Sequence, residues 1–304
     1  VTTQAVSSIT TTSATGNGNI TALGSPNPTQ HGVCWGTSQN PTTANDCTQS
    51  GATSSTGAFT GSMTGLTPNT TYYVRAYATN TAGTSYGSQV NFTTSVTAPT
   101  VTTQAVTSIS TTTATGNGNI TALGTTNPTQ HGVCWSTSEN PTTSNDCTTN
   151  GTASSTGAFT GSMTGLSAYT TYYVRAYATN SAGTSYGSQV SFTTLGIVPT
   201  VTTQAVTSIS TTTATGNGNI TALGTPNPTQ HGVCWSTGEN PTTSDVCTQK
   251  GSASSTGAFT ASITGLAANT TYYVRAYATN TAGTSYGSQV NFTTDPQAPT
   301  VTTQ

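Results

Sequence analysis

Three observations predict an all-β fold of tandem immunoglobulin-like antiparallel β-sandwiches. Residues 101–200 and 201–300 align without gaps and differ at 17 positions, so the chain repeats with a period of 100 residues. Each unit carries six β-prone runs with turn signals between them, and a further short run just after Cys47, with no helical period anywhere. A unit of this size is too long for a solenoid repeat and suits a small two-sheet sandwich. The predicted domains are therefore 1–100, 101–200 and 201–300, with 301–304 opening a fourth copy.

In chain order, the unit begins with the β-prone run Val1–Val6. Within Ile9–Leu23, Thr10, Thr12, Ala14, Gly16, Gly18, Ile20 and Ala22 share one parity and face one side of a strand. The glycines at its centre mark either a bulge or a close approach by a neighbouring backbone. His31–Ser38 forms the next strand, with Val33 and Trp35 toward the core and Cys34 near the sheet surface. Phe59, Gly61 and Met63 alternate on the following strand. The central strand runs through Leu66-Thr-Pro-Asn-Thr-Thr-Tyr-Tyr-Val-Arg-Ala-Tyr-Ala-Thr-Asn80; Tyr72, Val74, Ala76 and Ala78 line one face, and Tyr73, Arg75 and Tyr77 the other. A last strand over Ser85–Thr94 places Tyr86, Val90 and Phe92 together on one face. The junction Ser95-Val-Thr-Ala-Pro99 has no Gly/Ser spacer and contains a Pro, which predicts an extended, stiff arrangement of successive units.

Composition narrows the function. Only 3% of residues are charged, with a net charge of −2, against about 25% charged in an average soluble domain. That leaves no electrostatic footprint for nucleic acid, and no apolar run is long enough to insert in a membrane. The first 100 residues contain 26 Thr and 12 Ser. Such a surface would characterise a disordered, mucin-like stalk, but the regular strand patterns argue against one. With so few charges to keep it dispersed, the chain is expected to self-associate into a fibre or to carry covalent glycans.

Six cysteines fall two to a unit, Cys34 and Cys47, Cys134 and Cys147, Cys234 and Cys247, which reads as one disulfide per domain and an oxidising, extracellular or cell-surface setting. Two thiolates and one His per unit make a poor metal site. No metal or cofactor is expected. The closing Val301-Thr-Thr-Gln304 repeats the unit's opening, so the sequence reads as a stretch of a longer repetitive chain whose targeting signals lie outside it.

The second unit contains Gly132-Val-Cys-Trp-Ser-Thr-Ser138, Asn140-Pro-Thr-Thr143, Thr164-Gly-Leu166 and the run Thr170-Thr-Tyr-Tyr-Val-Arg-Ala-Tyr-Ala-Thr-Asn-Ser-Ala-Gly-Thr-Ser-Tyr-Gly187. In these motifs the chain resembles the fibronectin type III-like repeats of secreted and surface proteins of Bacteroidetes-type bacteria. The resemblance covers essentially all of each unit. It implies a seven-stranded sandwich, an extracellular setting, and a spacer or adhesive role without catalysis. Leu66, Pro68 and Tyr72 match the family's tyrosine corner, in which the Tyr hydroxyl bonds back to the turn backbone. The sequence departs from the family in lacking the usual Trp of the second strand, whose place Trp35 is expected to take. Ala168 and Ala268 replace Pro68, and the cysteine pair is an addition.

Candidate chemistry is sparse. His31 has no acidic partner at a telling spacing, and most carboxylates lie in the loop between the cysteines, so no catalytic residue is assigned. The candidate contact face is the outer row Tyr73, Arg75, Tyr77, with Tyr173, Arg175, Tyr177 and Tyr273, Arg275, Tyr277; a face whose Tyr and Arg merely cover each other is the competing interpretation. Candidate N-glycosylation sites are the sequon residues Asn19, Asn69, Asn91, Asn119, Asn150, Asn219, Asn269 and Asn291. Thr10–Ser13, Ser110–Thr113, Ser210–Thr213 and Thr53–Thr56 are candidates for O-linked sugars. The function expected is a structural repeat protein of an extracellular filament, stalk or matrix fibre, glycosylated and without catalysis. The alternatives are an adhesin or carbohydrate-binding module, and a spacer in a larger secreted enzyme.

Overall fold

The structure, a computed structural model, describes residues 1–301. The expected start of a fourth unit at 301–304 lies, apart from Val301, outside the described residues. All regular structure is β, and the first unit contains β1 (Thr2–Ser7), β2 (Ser13–Ile20), β3 (Gln30–Gly36), β4 (Asp46–Cys47), β5 (Gly57–Thr64), β6 (Thr71–Asn80), β7 (Gly83–Tyr86) and β8 (Val90–Thr93). These form two antiparallel sheets. One has the order β1-β2-β5; the other has the order β4-β3-β6-β7, with β8 also pairing with β6. The second and third units repeat both sheets 100 and 200 residues on. No helix among the described residues is long and apolar enough to cross a membrane.

The core follows from strand parity. Ala14 and Ile20 from β2, Val33 and Trp35 from β3, Met63 from β5, and Tyr72, Val74 and Ala76 from β6 are buried, as are Leu66 and Phe92. Trp35 lies within the core cluster. Gly16 and Gly18 occupy inward positions where side chains do not fit. A Cβ on Gly16 would lie 2.7 Å from Val33 Cγ2, and one on Gly18 would lie 2.8 Å from the Ala76 Cβ and closer still to the Phe59 ring. The glycines therefore mark neither the bulge nor the neighbouring backbone that the sequence suggested: β2 pairs β5 in unbroken register, and core side chains fill the space beside them. The bulge lies instead in β1, between Gln4 and Ser7.

Two placements differ from the sequence expectation. The last strand is broken: β7 pairs Tyr86 with Tyr77, and β8 pairs Val90 with Val74. Three residues separate Tyr86 from Val90 while only two separate Val74 from Tyr77, and one extra residue reverses the facing of everything beyond it. Tyr86 therefore lies on the outer face and Phe92 in the core. Cys34, expected near the sheet surface, is fully buried on the outer side of β3. There it lies in register between Cys47 of β4 and Arg75 of β6, so both flanks of the strand are covered.

Each junction docks on the unit that follows it. The Thr97 amide donates to Thr125 Oγ1 at 2.8 Å, and the Thr97 carbonyl accepts from Asn180 Nδ2 at 2.9 Å. At the next junction Ile197 and Thr225 exchange two backbone bonds of 2.8 Å, and Asn280 Nδ2 donates to the Ile197 carbonyl at 2.8 Å. Asn180 and Asn280 are consequently buried.

Candidate contact face and modification sites

The central strand β6 positions both candidate rows. On its inner side Tyr72 stacks against Phe92 with ring centroids 5.9 Å apart, and the Thr67 amide donates to the Tyr72 hydroxyl oxygen at 2.9 Å. The same corner closes at Ser167 and Ala267, each 3.0 Å from the Tyr172 or Tyr272 hydroxyl. It does so with Ala168 and Ala268 in place of Pro68, so the corner depends on the tyrosine and the turn, not on the proline.

The outer row is only partly displayed. Tyr77, expected to be available for contact, is 2% exposed. It sits in register with Gly32 of β3, and its hydroxyl donates to the Thr48 carbonyl at 2.9 Å. A side chain on Gly32 would run into that same Thr48 carbonyl and its hydroxyl, so the glycine makes room for the carbonyl the Tyr77 hydroxyl bonds. Tyr177 and Tyr277 are placed identically, with bonds of 2.9 Å to Thr148 and Thr248. Burial raises the pKa of all three phenols above the ordinary tyrosine value, and the charge that would form on the neighbouring Tyr86, Tyr186 or Tyr286 adds to the shift. These three tyrosines are therefore removed from the candidate contact face. They are structural because a phenol can cross a neighbouring strand at a glycine and find a carbonyl there.

Arg75 is half-buried and already engaged. Its guanidinium carbon lies 4.6 Å above the Tyr86 ring, and Nε donates to the Gly87 carbonyl at 3.0 Å. Tyr86 is anchored in turn, since its hydroxyl oxygen accepts from the Thr43 amide at 2.9 Å. Arg175 and Arg275 stack on Tyr186 and Tyr286 in the same way. Tyr73, Tyr173 and Tyr273 remain half-exposed beside them. Cation–π stacking of this kind contributes about 0.5–1 kcal/mol at a site open to water. Tyr86 was not part of the expected face, because its parity in the sequence grouped it with Val90 and Phe92; the extra residue after it puts it on the opposite face from them.

The cysteines pair within each unit as Cys34–Cys47, Cys134–Cys147 and Cys234–Cys247, and no free cysteine is left. Each bond joins residues directly opposed on adjacent antiparallel strands. His31 is half-buried, with Nδ1 2.8 Å from the Gly51 carbonyl and its ring set edge-on to Phe59 at 4.9 Å. This carbonyl contact makes Nδ1 the protonated nitrogen and gives the ring a packing role. No group of three or more His, Cys, Asp or Glu residues placed to hold a metal ion occurs among the described residues.

Among the sequons, Asn69, Asn91, Asn150, Asn269 and Asn291 are exposed, whereas Asn19, Asn119 and Asn219 are half-buried in the middle strand of the three-stranded sheet. Asn69 and Asn269 occupy the turn of the tyrosine corner with positive φ. The Thr10–Ser13 cluster is internally bonded. Thr10 Oγ1 accepts from the Ser13 amide at 2.9 Å and contacts Ser13 Oγ at 2.8 Å, and Ser110 and Ser210 do the same in their units.

No protein-family profile matches the chain, and no curated protein matches it. Among solved structures, the chain is similar to the chicken CNTN1 FN1-FN3 domains, at 15% identity and a TM-score of 0.29, over 96% of this chain and 97% of that one.

Proposed function

We propose that the chain is a structural repeat protein of an extracellular filament, stalk or matrix fibre, carrying covalent glycans and no catalytic centre. The observation that carries this reading is the equivalence of the three units: the same core, the same disulfide and the same outer cluster recur, and each linker docks on the next unit through the same asparagine. A fibre requires equivalent units joined in a fixed way more than it requires distinct sites. The side chains able to do chemistry, His31, Arg75 and Tyr77, are each held by bonds within their own unit. Three disulfides favour an oxidising compartment. Electron microscopy of concentrated protein tests the reading. Filaments with a regular axial repeat are expected, and dispersed single chains at every concentration would overturn it. Intact mass measurement of native material tests the glycans, for which the exposed Asn69, Asn91, Asn269 and Asn291 are the favoured acceptors, Asn150 Nδ2 being held by the Thr160 carbonyl.

A second reading, adhesion to a glycan, draws support from the half-exposed Tyr73 beside the Arg75–Tyr86 stack. Glycan-array binding that is lost in Tyr73→Ala would favour it, and absence of binding to any glycan would remove it.

A further inference from the structure

Sheet edges are where β proteins associate, and this chain protects all of its edges but one. In the first unit β1 is bulged and its Thr3 hydroxyl accepts the Ala76 amide of the opposite sheet at 2.9 Å. β4 is two residues long and tied to β3 by the disulfide, while β7 and β8 are four residues each and out of line with one another. β5, Gly57-Ala-Phe-Thr-Gly-Ser-Met-Thr64, is different. It is eight residues long, ends the sheet, keeps unbroken register with β2, and contains neither a charge nor a proline. Its outward side chains, Ala58, Thr60, Ser62 and Thr64, are exposed.

The equivalent edges of the other two units are guarded from one position. In the second unit Asn150 Nδ2 donates to the Thr160 carbonyl at 2.8 Å, capping the edge. That bond also shows that backbone groups of this parity point away from the sheet, because the N–H and C=O of one residue share a side in an antiparallel ladder. The third unit has an exposed Lys250 at the same place, a side chain natural edges use to repel a second strand. The first unit has the short Ser50 there.

We propose that the β5 edge of the first unit is a homotypic pairing edge, joining antiparallel to β5 of a second copy of this chain and merging two three-stranded sheets into one. A second copy is the partner that fits. The edge has no large anchors or pockets with which to select a foreign peptide. Antiparallel pairing sets uncharged Thr and Ser across from one another, a favourable combination free of like-charge repulsion. The proposal deepens the fibre reading and rests on it by naming one of the contacts through which chains join.

Sedimentation of the full chain across concentration, with hydrogen exchange at Thr60 and Ser62, tests it. The wild type should associate reversibly, with these amides slowing as association proceeds. Thr60→Lys should weaken the association at least about fivefold by bringing like charges together along the shared edge. Ser62→Pro, which removes an outward amide and leaves the β2 ladder intact, should do the same. Asn150→Ser should strengthen association by opening the second edge. Association that both β5 variants leave unchanged would overturn the pairing while leaving the fibre reading in place; a wild type that stays monomeric throughout would overturn both.

Discussion

Replacing Tyr77, Tyr177 and Tyr277 together with Phe separates a structural role for this row from a binding role. The ring stays, so its packing is retained, and only the hydroxyl is lost. That hydroxyl donates to the Thr48 carbonyl at 2.9 Å in a residue 2% exposed. Removing the donor deprives a sheltered carbonyl of its partner, which costs about 1–3 kcal/mol per site. In a unit of 100 residues each kcal/mol lowers the melting temperature by roughly 4–8 °C. Urea denaturation of wild type and triple variant should therefore show a lower midpoint with an unchanged slope. The same phenols predict a pH dependence. Their pKa is raised in the folded chain, so the stability they contribute is complete below about 10 and declines as pH rises from there through the folded-state value. Absorbance titration of the wild type should show three of the 13 tyrosines ionising late, a class that disappears in the variant. An unchanged midpoint together with ordinary ionisation of all tyrosines would refute the reasoning and return Tyr77 to the contact face.

Other consequences follow from the core, the disulfides and the junctions. Gly18→Ala forces a methyl against Phe59 and Ala76 and should destabilise the first unit by about 1–3 kcal/mol in chemical denaturation. Reducing the disulfides, each closing a sequence separation of 13, should lower stability by about 3 kcal/mol per unit, read by denaturation with and without reductant. Asn180→Ala removes the donor to the Thr97 and Thr126 carbonyls; amide exchange at 97–98 and 125–126 should accelerate while the second unit's core amides stay protected. Equal protection of the linker in both proteins would show that Asn180 does not hold the junction.

Much of this architecture is legible in the sequence because it depends on periodicity. The 100-residue repeat sets the unit, strict alternation sets the inward row Tyr72, Val74 and Ala76, and the Leu66–Tyr72 spacing sets the corner. The glycine pair in β2 announces crowding but not its cause: the sequence suggests a bulge or a neighbouring backbone, whereas the side chains of Val33, Ala76 and Phe59 fill the space. Alternation misleads at two places. It groups Tyr86 with Val90 and Phe92 because an extra residue between strands leaves no mark in the sequence, and it assigns Tyr77 outward without indicating whether an outward side chain meets water or a neighbouring strand.

Strand alternation and composition alone set what each strand offers: which side chains lie on which face, which cysteines share a unit, and how little charge there is to keep chains apart. How those offers are taken up is settled only once the strands are brought together. Tyr77 finds a carbonyl across Gly32, Arg75 finds the ring of Tyr86, Asn180 finds the preceding linker, and Asn150 covers an edge that Ser50 leaves open. Each of these depends on where a second strand or loop stands relative to the first. Parity is a local property of the backbone, whereas a partner across a sheet is brought into place only by the folding of the whole unit.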